Sequence, residues 1–257
     1  MDRALSPHAP RERRIVALLC RTSDRGSEGS EGARELAELL DARTIGTLAE
    51  PREGDFEEDL RDSRGCLLEA GGQVDDALDA GEVPILLAGD CSIAICTLPV
   101  LARHRPDARV LWLDAHGDFN TPDTTTSRYL GGMCLAGACG LWDTGFAGTV
   151  DPARVVMHGV RDLGGAERVA LDRRGVNVVS DAGPLAGLPI FVHLDLDVLD
   201  PGVLPTRFPA PGGMFPEDLR RLLAAVGATC ELVGAEVTSL VPGHGELAAD
   251  LLAPLLA

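Results

Sequence analysis

An α/β fold with a central parallel sheet covered by helices on both faces is predicted by three observations. Short Val-, Ile- and Leu-rich runs recur along the chain with little polar alternation, as expected of strands buried on both sides. Longer amphipathic stretches separate them. Chemistry-bearing residues cluster just after the apolar runs, where parallel sheets place their ligands. The first run, 14–20, follows Arg11, Arg13 and Arg14 and reads as a core strand; it is too short and too abruptly followed by polar residues for a secretory leader. Further strands are expected at 83–88, 109–114, 154–158, 176–180, 190–195 and 232–237. Helices are expected at about 30–42, 56–79, 92–104, 130–140, 165–174, 216–227 and 244–256.

The 257 residues can bury a full core, and no linker or repeat divides them, so one domain spanning 1–257 is expected. With 40 acidic and 23 basic residues the formal charge is −17, and every basic residue is Arg. Such a chain repels phosphate backbones and anionic lipid, which argues against nucleic-acid and membrane partners. No apolar run approaches the ~20 residues that span a bilayer. Seven cysteines without a CxxC pair predict reduced thiols and a cytoplasmic location.

The strand ends carry the signal. Run 83–88 leads into Gly89-Asp90-Cys91-Ser92, run 109–113 into Asp114-Ala115-His116-Gly117-Asp118-Phe119-Asn120, and run 190–194 into Asp195-Leu196-Asp197. Glu236 closes the run at 232–235. In an extended chain, Asp114, His116 and Asp118 share one face, as do Asp195 and Asp197. Four carboxylates gathered without Lys stay ionised only if cations neutralise them. A mixed carboxylate–imidazole set suits Mn²⁺ better than Zn²⁺ or Fe²⁺. A pair of such ions generates a hydroxide nucleophile at neutral pH.

These segments, together with Thr121-Pro-Asp-Thr-Thr-Thr-Ser127 and Gly234-Ala-Glu-Val-Thr-Ser-Leu240, resemble the ureohydrolase (arginase/agmatinase) superfamily. The resemblance implies a three-layer α/β/α sandwich, two Mn²⁺ ions, a small guanidino substrate and a homo-oligomer. It implies that Asp114 and Asp195 bridge the ions, that Cys91 and Asp118 complete the first, and that His116 and Asp197 complete the second. Asp118 is implied to move the proton, and Glu236 to pair with the guanidinium. Asn120 and Ser127 are implied at the substrate α-carboxylate, and Asp162 and Glu167 at its α-amino group.

Three positions depart from the arginase pattern. Cys91 stands where histidine is expected; it reads either as a soft thiolate ligand or as a small buried residue beside a one-metal site. Gly131 replaces a proton-shuttling histidine, and Tyr129 replaces an asparagine. With the stretch Thr97–Gly145, these departures resemble the branch that cleaves Nω-hydroxy-L-arginine to hydroxyurea and L-ornithine in antibiotic biosynthesis. The rival readings are hydrolysis of another guanidino compound and a catalytically silent paralogue. Among the remaining histidines, His193 reads as a partner to a metal-bound carboxylate or as a core residue. His158 and His244 read as structural, and His8 and His104 as surface residues. Cys134 and Cys139 read as core residues.

Overall fold

A computed structural model describes residues 11–48, 50–181 and 183–257, so His8 lies outside the described residues. Eight strands form one parallel sheet: β1 Arg13–Leu18, β2 Arg43–Ile45, β3 Val83–Ala88, β4 Arg109–Leu113, β5 Val155–His158, β6 Asn177–Val178, β7 Pro189–Asp195 and β8 Glu231–Thr238. Their spatial order is β2-β1-β3-β8-β7-β4-β5-β6. The apolar runs therefore occupy the sheet as expected, and β3 is buried along its whole length. β2 was not expected. Its sequence, Arg-Thr-Ile, is half exposed and pairs only with β1 along the sheet edge, so it carries no apolar run.

Helices α1 (Glu28–Leu39), α7 (Pro216–Thr229) and α8 (Gly245–Leu256) cover one face. In α7, Leu219, Leu222, Leu223 and Val226 are buried at i, i+3, i+4 and i+7, and Pro216 with Glu217 and Asp218 opens the first turn. The other face carries α2 (Phe56–Asp62), α3 (Arg64–Asp79), α4 (Ala94–His104), α5 (Cys134–Ala138) and α6 (Gly165–Arg174). This is the three-layer α/β/α sandwich. The helix expected over 56–79 is two. Asp55 caps the first by accepting from the Glu57 and Glu58 amides. That helix ends at Ser63, whose hydroxyl donates to the Asp59 carbonyl at 2.6 Å. Gly175, at φ 73°, ends α6 in the left-handed conformation.

One cysteine expectation is corrected. Cys20, just past β1, and Cys66 in α3 form a disulfide, with Cα atoms 6.1 Å apart. The two are 46 residues apart, and only the packing of α3 across β1 brings them together. Cys91, Cys96, Cys134 and Cys139 are free and buried. No helix among the described residues is long and apolar enough to cross a membrane.

Sheet register positions the site. Trp112 on β4 pairs with His193 on β7, which pairs with Glu236 on β8. Two residues further along, Asp195 pairs with Thr238, and Asp114 follows the end of β4. Because side chains alternate with period two, both rows face the same side of the sheet. That side is the one covered by α4 and α5, where Trp112 and Cys91 pack.

Candidate metal centre

The acidic residues meet at the carboxyl ends of β3, β8, β7 and β4, at the floor of a cavity of about 680 Å³. Cys91, Asp114, His116, Asp118, Asn120, Ser127, Tyr129, Asp162, Glu167, Asp195 and Asp197 all line it. His116 Nδ1 lies 3.3 Å from Asp114 Oδ1 and 3.0 Å from Asp197 Oδ2. Cys91 Sγ donates to Asp195 Oδ2 at 2.8 Å, and that oxygen also accepts from Ser239 Oγ at 2.6 Å. Asp114, Asp118, Asp195 and Asp197 are all buried. At this centre two triads have ligand atoms within 4.8 Å of one another: Asp114, His116 and Asp197, and Cys91, Asp114 and His193. Asp114 belongs to both.

The electrostatics fit a cation. Burial, reinforced by Asp197, pushes Asp195 up to about 6. Burial and then Asp114 push Asp197 to about 6. Burial and Asp114 hold Asp118 well above the carboxylate range, and burial with Asp195 and Asp118 does the same to the Cys91 thiol. Burial disfavours the His116 imidazolium, but Asp114 and Asp197 override it and raise the ring to about 12. The donors are mostly hard oxygens with imidazole nitrogen, so they match a divalent ion such as Mn²⁺.

The local folding differs from a simple strand end. β4 stops at Leu113, and the turn that follows carries Asp118 at φ 48°, a left-handed conformation unusual for a residue other than glycine. The Asp118 carbonyl accepts from the Leu135 and Ala136 amides and so ties this turn to α5. Cys134 Sγ, expected only to fill the core, also reaches Asp118 Oδ2 at 3.5 Å.

The expected substrate contacts separate into two groups. Asn120, Ser127 and Asp162 sit on the rim, and Asp162 is 70% exposed. Tyr129 donates to Asp90 Oδ2, and its ring packs against Gly131. A β-carbon at position 131 would lie 2.6 Å from Tyr129 Cε1. Glu167 is buried, and its carboxylate accepts from the Phe119 amide at 2.9 Å and the Gly164 amide at 3.4 Å. Glu236 is also fully buried. Its Oε2 accepts from Thr97 Oγ1 at 2.6 Å, and its Oε1 lies 2.7 Å from His193 Nδ1. Both oxygens of Glu236 are thus engaged by protein groups, and Glu236 is not among the residues that line the cavity.

Sequence reasoning missed Arg161. Its guanidinium donates to the carbonyls of Gly159, Asp197, Val198, Leu199 and Ala210, clamping the loop that carries Asp197. No spacing signal marks such a residue, because its partners are backbone oxygens. Asp24 and Ser23 were missed as well; Ser23 donates to Asp90 Oδ1 at 2.5 Å and helps hold the carboxylate that Tyr129 uses.

Comparison with known proteins gives the family. Residues 27–256 match the arginase family. The chain is 36% identical to the N(omega)-hydroxy-L-arginine amidinohydrolase of Streptomyces lavendulae, over 94% of each chain. It is 31% identical to the arginase of Bacillus caldovelox, over 66% of this chain and 64% of that one. In fold it superposes on the Bacillus cereus arginase with a TM-score of 0.80 at 24% identity, covering 96% of this chain and 99% of the other. It superposes on the proclavaminate amidino hydrolase of Streptomyces clavuligerus with a TM-score of 0.68 at 23% identity, covering 97% and 92%. The chain therefore belongs to the arginase family and is a hydrolase of amidine-type carbon–nitrogen bonds.

Proposed function

We propose that this chain hydrolyses Nω-hydroxy-L-arginine to hydroxyurea and L-ornithine at a two-Mn²⁺ centre. The observation that carries the substrate choice is the pairing of Tyr129 with Gly131. The tyrosine ring fills the space a side chain at 131 would need, and its hydroxyl is anchored on Asp90. The centre therefore has no imidazole at 131 to shuttle protons, and a phenol stands beside that position instead. An N-hydroxyguanidine is less basic than a guanidine, so its carbon needs less help from a shuttle. The match to the Streptomyces lavendulae enzyme along nearly the whole of both chains supports the same reading.

Asp114, Asp195, Asp197, His116, Asp118 and Cys91 would hold the ions. When bound, such a pair supplies a water acidic enough to serve as nucleophile at neutral pH. The chain's own groups do the rest. Asn120 and Ser127 receive the substrate α-carboxylate at the rim, and Asp162 receives its α-amino group. Glu167 acts one step back, holding the Phe119 amide and so the turn from Asp118 to Asn120. Asp118 would take a proton from the attacking water and pass it to the departing δ-nitrogen of ornithine. Tyr129 lies within the cavity to meet the substrate N-hydroxyl.

Turnover of Nω-hydroxy-L-arginine and L-arginine, measured side by side on Mn²⁺-loaded protein, tests the proposal. A kcat/KM ratio favouring the hydroxylated substrate by at least about tenfold is expected, the scale of one hydrogen bond gained in the transition state. Preference for plain arginine would overturn it.

A further inference from the structure

We infer that His193 is itself a metal ligand, an imidazole delivered from inside β7 to the ion that Cys91 faces. The inference rests on the two-metal reading above and adds a donor to it. His193 is fully buried. Its ring stacks on Trp112 with centroids 3.5 Å apart and planes 6° apart. Nδ1 is engaged by Glu236 Oε1 at 2.7 Å, whereas Nε2 is buried with no hydrogen-bond partner among the described residues. A ring nitrogen of His193, Cys91 Sγ and an Asp114 oxygen lie within 4.8 Å of one another.

Metal–ligand bonds of about 2.0–2.3 Å leave two ligands on one ion no more than about 4.6 Å apart, so atoms already within 4.8 Å of one another need only a small adjustment to share an ion. A carboxylate accepting from Nδ1–H fixes the tautomer that points a lone pair out of Nε2, the usual arrangement behind a metal-binding histidine. Glu236 is held for this purpose on its other side by Thr97. An unpaired buried acceptor is costly, and an ion at Nε2 would remove that penalty. Cys91 and Asp195 bring only sulfur and carboxylate oxygen to this position, so a neutral imidazole would complete the ligand set without adding negative charge. Asp114, common to both triads, would then be shared between the Cys91–His193 group and the His116–Asp197 group. Glu236 becomes a positioning residue for His193 rather than a substrate contact.

The test titrates metal-stripped protein with Mn²⁺ alone and counts bound ions by equilibrium dialysis. Wild-type protein should bind two. His193→Gln should bind one, with affinity for the second weakened by at least about tenfold. Two ions bound to folded His193→Gln with unchanged affinities would overturn the inference. Absence of Mn²⁺ binding by the wild type would overturn the two-metal reading itself, before any variant is made. If His193→Gln does not fold, pulsed electron paramagnetic resonance of Mn²⁺-loaded His116→Ala decides. An imidazole nitrogen coupling must remain there if His193 is a ligand, and its absence would overturn the inference.

Discussion

Asp24 shows how a single buried carboxyl links this cavity to pH. Burial, then the neighbouring Asp90, raises it to about 7, against an ordinary value near 4. A carboxyl raised on folding contributes its full stability below the unfolded value and loses it as pH climbs through the folded one. Asp24→Asn removes the ionisation and should gain stability relative to wild type between about pH 4 and 7, with the gap constant above that range. Thermal melts of both proteins from pH 4 to 8 check the sign; a gap that shrinks as pH rises would contradict it. Gly131 gives a second residue-level expectation. Gly131→His must displace the Tyr129 ring, at the roughly 1–3 kcal/mol typical of overpacking. Adding Tyr129→Asn should return most of that loss. Urea denaturation of both single variants and the double variant reads the coupling directly.

At the level of elements, what the sequence revealed tracks how each element is stabilised. β3, β4, β7 and β8 were readable because both their faces are buried and their composition says so. β2 was hidden because an edge strand of three half-exposed residues needs no apolar signature. The break at Ser63 depends on one side-chain hydrogen bond inside a stretch that is helical on either side. The Cys20–Cys66 bond was equally invisible, since α3 has to dock on β1 before its ends can meet. In the chain-entropy picture, closing 46 residues adds about 4 kcal/mol. Reduction should therefore lower the free energy of unfolding by that order, with Cys66→Ser showing the same loss and no further response to reductant. Equal stability with and without reductant would show that the bond does not constrain the unfolded chain.

For the molecule as a whole, the acidic charge and the centre belong to one account. The i, i+2, i+4 spacing of Asp114, His116 and Asp118 drew attention to residues that the structure does bring together, but for a partly wrong reason. The strand ends before them, and a left-handed turn packed on α5 makes them converge. His193 was readable only as a partner to a metal-bound carboxylate or a core residue, and Arg161 not at all, because their contacts rest on strand pairing and on backbone oxygens. With these carboxylates raised by burial and then by one another, cation binding should stabilise the folded chain. Mn²⁺ at a hundredfold above its dissociation constant should add about 2.7 kcal/mol per site. Asp195→Ala should retain no Mn²⁺ by elemental analysis and lose that thermal gain. A variant that still melted higher with Mn²⁺ would show that Asp195 is dispensable to the centre.

The pairing of Trp112, His193 and Glu236 across three adjacent strands has a consequence for how this enzyme can change. Spacing between the inner groups is set by backbone hydrogen bonds, so inserting or deleting one residue within β7 would turn His193 and Asp195 to the opposite face together. The rim between Asn120 and Tyr129 lies outside any strand and is under no such lock. Variation in substrate preference has room to accumulate at the mouth, while the chemistry beneath is bound to the weave of the sheet.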